Sequence, residues 1–102
     1  MSDNPVTSMT VRLGEQKLVL NGRKAWMLDA LINAGFIGLT TIDNPAPRIS
    51  HYIWLLRRKG FLIESPPENH GGPFSGHHAR YRLQSPVSVL DIKRQHDRMA
   101  AA

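Results

Sequence analysis

The stretch IDNPAPRISHYIWLLRRKGFLIE, from Ile42 to Glu64, decides how the rest of the chain is read. Proline suits the first position of a helix because the amide it lacks has no partner there. Glycine suits the residue just past the last turn. Pro47 and Gly60 therefore bracket a helix expected from Pro47 to Lys59. At about 100° per residue, Ile49, Tyr52, Ile53 and Leu56 gather on one side, and Ser50, His51, Trp54, Arg57 and Arg58 on the other. No Asp or Glu falls between Arg48 and Lys59. The helix thus has one apolar side for packing and one positive side that packing does not explain.

Upstream, Thr40 or Thr41 can cap a short helix, with Asp43 completing a capping box on Thr40. Pro45 and Pro47 limit it to about one turn. Before it, Leu28, Leu31, Ile32 and Gly35, flanked by Met27 and Ala34, predict an amphipathic helix from Gly22 to Ala34, capped by Asn21 and ended by Gly35. Trp26 lies off that stripe, placed to fill a gap against the preceding hairpin. Val11 and Leu13, then Leu18 and Leu20, alternate around a turn at Gly14–Lys17 and predict that hairpin. Residues 1–9 read as a loose lead-in.

Downstream, Phe61-Leu62-Ile63 predicts a short strand and Arg80–Leu83 its antiparallel partner. Ser65–Ala79, rich in Pro, Gly, His and Asn, reads as a loop between them. In the tail, residues 88–102, Ser88 and Asp91 form a capping box and Val89, Ile92, His96 and Met99 share a side. A thin-striped helix over Ser88–Met99 is expected there, with fraying as the alternative, and it is the candidate element for a homodimer.

The chain has 102 residues, enough for one domain with a modest core. Its formal net charge is +5, unevenly placed. Residues 1–47 carry four basic and four acidic residues; residues 48–102 carry nine basic and four acidic. A polyanion is the natural partner for such a half, and nucleic acid the first candidate, with a solubilising surface as the plainer reading. Without cysteine there is no disulfide, thiolate metal site or cysteine nucleophile. No apolar stretch is long enough to span a bilayer, and Met1–Thr10 lacks a signal-peptide layout. A cytoplasmic, nucleoid-associated protein is expected. Paired carboxylates, a phosphate-binding glycine loop and a nucleophile elbow are all missing, so neither enzymatic activity nor a cofactor is expected.

A short helix, a tight turn, a basic helix and then a β-hairpin is the element order of a winged helix-turn-helix. The run Ile42–Glu64 resembles the helix-turn-helix core of small bacterial and phage-type winged-helix proteins. The following HGGPFSGHHARYRL, His70–Leu83, looks like the wing of a small winged-helix domain family. The resemblance spans roughly residues 18–87. It implies an α+β winged helix-turn-helix over residues 10–87, with a three-helix core, an N-terminal hairpin and a C-terminal wing. It also implies DNA binding, by analogy of fold. The proline-shortened second helix departs from the general pattern.

In that fold the basic helix enters the major groove and the wing lies on the backbone or in the minor groove. The candidate contacts are Arg48, Ser50, His51, Trp54, Arg57, Arg58, Lys59, His70, His77, His78, Arg80 and Arg82. Each has a plainer reading. Arg57 and Arg58 also complement the helix dipole, Arg48 can pair with Asp43, and Ser50 and His51 can simply be solvated. Trp54 is expected to bury against protein, the alternatives being thymine methyls or sugars, the tail, or a dimer contact. His70, His77 and His78 are better placed for phosphate, most strongly when protonated, than for a metal, which would need a distant fourth ligand. Phe74 can wedge into the minor groove or fold back on the sheet. The resulting expectation is sequence-specific binding of duplex DNA by a transcriptional regulator. The rivals are a protein-interaction adaptor using Trp54 with Leu55, and a single-strand binder stacking bases on Phe74, Tyr81 and the wing histidines.

Overall fold

A computed structural model describes residues 5–40, 48–70 and 76–95, with backbone alone for 68–70 and 76–78. The element order is β1 (Val6–Leu13), β2 (Gln16–Asn21), α1 (Arg23–Ala34), β3 (Leu39–Thr40), α2 (Ile49–Arg58), β4 (Ile63–Glu64), β5 (Pro67–His70), β6 (Gly76–Leu83) and β7 (Val87–Arg94). The architecture is α+β, with two helices and antiparallel sheets among the described residues.

The hairpin of β1 and β2 forms as its alternation predicts, with Leu13 opposite Gln16 and Met9 opposite Leu20. Its turn is the dipeptide Gly14-Glu15, shorter than the expected Gly14–Lys17. Met9, Val11 and Leu20 are buried, while Arg12, Lys17 and Val19 face solvent. The strand also begins earlier than expected: residues from Val6 onward belong to β1 and not to a lead-in.

On the other edge of β1 lies β7, where a helix was expected over Ser88–Met99. The reason is a β-bulge. Val89 faces Val11 and Asp91 faces Thr10, so Leu90 is an extra residue between them. The bulge resets the alternation, and Val89 and Ile92 reach the same face although three residues apart. Their spacing mimics a helical stripe. Ser88 and Asp91, the supposed capping box, are exposed strand residues opposite Arg12 and Thr10. A second irregularity at Thr7 hides the start of β1 in the same way, because buried Val6 and Met9 are also three apart. The helical dimer element therefore does not form; β-branched Val87, Val89 and Ile92 favour the strand.

Helix α1 packs against β1, β2, α2, β3 and β6. Burial on several sides explains why Ala25 and Met27 are buried along with Leu28 and Leu31. Its N-cap is Gly22, whose N–H donates to the Thr7 carbonyl at 2.8 Å; Asn21, the expected cap, ends β2. Gly35 is the C-cap, as expected. Trp26 packs half-buried at the margin of the core, with the Arg23 guanidinium 5.6 Å from its ring centroid.

Helix α2 starts at Ile49, after Arg48, rather than at Pro47. Ile49, Ile53 and Leu56 are buried against the core, each contributing about 1.5–3 kcal/mol through removal from water. At its end the Phe61 N–H donates to the Leu56 carbonyl and the Gly60 N–H to the Arg57 carbonyl, at 3.3 and 3.0 Å. This is a Schellman closure, with Phe61 burying beside Leu56. It turns the chain directly into the wing. The expected second helix, over 41–47, lies outside the described residues. Its candidate cap Thr40 is buried in β3, opposite Arg80.

Much of the segment expected to be a loop, Ser65–Ala79, is instead paired. Ile63 faces Leu83, Pro67 faces Ala79 and His70 faces Gly76, in one continuous register. Between them the Arg80 N–H donates to the Pro66 carbonyl at 3.1 Å. Pro66 and Pro67 carry no N–H, which accounts for the gap between β4 and β5 in an otherwise unbroken ladder. On the other side of β6, Leu39 pairs with Tyr81.

Gly38 sits where β3 meets the wing. Its φ is 83°, and a Cβ there would stand 2.8 Å from the Tyr81 carbonyl oxygen and 2.9 Å from the Arg82 Cγ. Gly14, at φ 61°, has open space around it. Gly14→Ala should cost about 1–2 kcal/mol from backbone conformation alone. Gly38→Ala should cost about 3 kcal/mol or more, since the collision adds to that strain. Urea unfolding of both variants measures the difference.

Candidate nucleic-acid interface

The outward side of α2 carries Ser50, Trp54, Arg57 and Arg58, all exposed, with His51 half-buried beside them. Arg48 stands exposed at the N-terminal end and Lys59 at the C-terminal end. Arg48 is the N-cap and has a left-handed backbone, φ 62° and ψ 32°. Its carbonyl accepts the N–H groups of His51 and Tyr52 at 3.0 and 3.2 Å. A non-glycine residue held in this region costs roughly 1–2 kcal/mol. Asp43, its candidate partner, lies outside the described residues.

Trp54 is 51% exposed, which corrects the expectation that it buries against protein. It sits in a ladder along the helix. The Arg58 guanidinium lies 4.9 Å from its ring centroid, and the His51 ring stacks at 6.2 Å and 25°. Such cation–π contacts are worth about 0.5–1 kcal/mol at an exposed site.

The arginines flanking this ladder are bound into the fold. Arg57 donates from Nε and Nη2 to the Ile63 carbonyl, at 3.1 and 2.6 Å, and from Nη2 to Ser65 Oγ at 2.9 Å. It ties the end of α2 to the base of the wing. Arg80 donates to the Ile37 carbonyl at 3.0 Å. Arg82 donates to the Phe36 carbonyl at 3.0 Å and pairs with Glu64 at 3.1 Å. Phe36 and Ile37, for which the pattern of residues suggests no role, are 93% and 74% exposed. Two apolar residues between Gly35 and Gly38 were the signal available: the glycines let a tight turn push both side chains outward while arginines hold both carbonyls.

His70, His77 and His78 are placed by backbone, His77 opposite Asn69 and His78 opposite Glu68. Their side chains, and Phe74, lie outside the description. Among the described residues no group of three His, Asp or Glu side chains converges as a metal would require, and no helix is long and apolar enough to cross a membrane.

Residues 17–93 match the winged helix domain family. The chain belongs to that family. The match covers both helices, the wing and nearly all of β7, so the added sheet strand lies within the winged helix domain. Membership points to nucleic-acid binding in general. Comparison with curated proteins and with solved structures yields no match.

The two adjacent arginines of α2 should behave differently. Arg57→Ala removes charge-assisted bonds to a strand carbonyl and should destabilise the domain by about 1–2 kcal/mol. Arg58→Ala gives up only its exposed contact with Trp54 and should cost at most about 0.5–1 kcal/mol. Paired denaturation curves distinguish them.

Proposed function

We propose that this winged helix domain binds duplex DNA sequence-specifically as a transcriptional regulator, with α2 in the major groove and the wing along the backbone or in the minor groove. One observation carries the reading. The outward side of α2 presents Arg48, Ser50, His51, Trp54, Arg58 and Lys59, with no acidic residue anywhere along the helix. A major groove admits one helix, and its base edges meet the side chains of the outward face. Arg48, at the N-terminal end, occupies the position from which such helices reach bases. Arg57 acts first by fixing the wing against α2, and Arg80 and Arg82 by fixing it against the turn after α1, all adding positive potential at short range. On this reading the protein is a binding protein of the cytoplasm and nucleoid, without a reaction of its own.

A second reading, an adaptor for another protein, is favoured by the exposure of Phe36 and Ile37. It does not draw on a patch of Trp54 and Leu55 with a helix over Ser88–Met99, because Val87–Arg94 form strand β7.

Fluorescence anisotropy with a random duplex pool at low salt tests the proposal. Binding should appear and weaken with a log–log salt slope of about −0.9 per phosphate neutralised. Single-stranded competitor should displace it poorly. No binding to any duplex at low salt would sink the proposal. Arg48→Gly provides a sharper arm. It relieves the left-handed strain and should stabilise the domain by about 0.5–1 kcal/mol, yet bind duplex more weakly. A variant that is more stable and binds equally well would remove Arg48 from the interface.

A further inference from the structure

We propose that Trp54 and Arg58 act as one composite reader, taking the C5 methyl of a thymine and the O6–N7 edge of a neighbouring guanine. The inference rests on the duplex-binding reading and names what that surface prefers.

Trp54 stands in the middle of the outward side of α2 with half its surface in water. Large aromatic residues are usually covered, so an exposed indole at the centre of a polar surface calls for a partner. Its neighbours along the helix are polar or charged: His51 one turn before and Arg58 one turn after. The partner must therefore offer a small apolar feature inside a polar surface. In a major groove the thymine methyl is that feature.

Arg58 supplies the second half. Its guanidinium rests over the indole, 4.9 Å from the ring centroid. A guanidinium held over a ring keeps the N–H fork at its rim available for hydrogen bonds. Among the described residues no carboxylate pairs with it. Guanine presents O6 and N7 as the acceptor pair that fits this fork. The separation of 4.9 Å between guanidinium and indole is comparable to the rise of one to two base pairs, about 3.4 Å each. The two groups thus reach neighbouring pairs. Arg57, one residue earlier, is committed to the Ile63 carbonyl and is not free to substitute.

The experiment first selects bound duplexes from a random pool with the wild-type protein, then measures affinity for the best site carrying single-atom-scale changes. Thymine→deoxyuridine removes only the methyl and should weaken wild-type binding about fourfold, the worth of one buried methyl group. Guanine→7-deazaguanine removes one acceptor and should weaken it about tenfold. Trp54→Ala should erase the deoxyuridine effect while keeping the 7-deazaguanine effect; Arg58→Ala should do the reverse. Trp54→Phe, which keeps an aromatic ring, should retain part of the methyl preference and covers the case in which the alanine variant folds poorly. A selected site without an adjacent thymine and guanine, or a wild-type protein indifferent to both replacements, overturns the composite reader while leaving duplex binding intact. A Trp54→Ala protein that loses single-strand affinity but keeps the methyl preference also overturns it, as base stacking would be the role of Trp54. No binding to any duplex overturns the functional reading itself.

Discussion

The grip of Arg57 on the Ile63 carbonyl is the interaction from which the geometry of this domain follows. Two nitrogens of one guanidinium converge on a single backbone oxygen at the base of the wing. Charge-assisted bonds of this kind are short and directional. The Schellman closure at Leu56–Phe61 turns the chain from helix to strand, and the arginine then fixes the angle of that turn. On the opposite side of the hairpin, Arg80 and Arg82 hold the Ile37 and Phe36 carbonyls. The wing is thus braced against both helices: against α2 directly, and against α1 through the turn that follows it.

This bracing divides the positive charge into two populations with different work. Charge asymmetry along the chain puts the positive excess in the second half, but it cannot separate cations that build the domain from cations presented outward. Arg57 and Arg58 are adjacent and chemically identical. One donates to a strand carbonyl and the other lies over an indole. A mutational scan read without the hydrogen bonds would credit both with the same role.

What was legible in the sequence follows the same physics. Helix α2 was readable because its apolar period and its terminal glycine agree, and β1–β2 because the alternation runs cleanly around Gly14. Strand β7 was not, since the bulge at Leu90 replaces a spacing of two by a spacing of three and so imitates a helix. The wing strands were obscured by composition: prolines and histidines between residues 65 and 79 signal a loop locally, while register set by Ile63 and Leu83 carries pairing through them. The outward side of α2 was legible as residue types, and Arg48, Ser50, His51, Trp54, Arg58 and Lys59 lie along it as expected. The fate of individual side chains was not legible, because whether Trp54 is covered depends on long-range placement such as that of Val87–Arg94, which pair with β1.

That placement of β7 has a consequence for connectivity. The Gln95 N–H donates to the Pro5 carbonyl at 3.0 Å, so the two ends of the described chain are hydrogen-bonded neighbours. A few linking residues between them would close the backbone into a ring, and new termini could be opened in the exposed Gly14-Glu15 turn. The ends of the described sheet thus meet the geometric requirement for circular permutation, or for insertion as a cassette into a loop of another protein, on the side of β1 away from its pairing with β2.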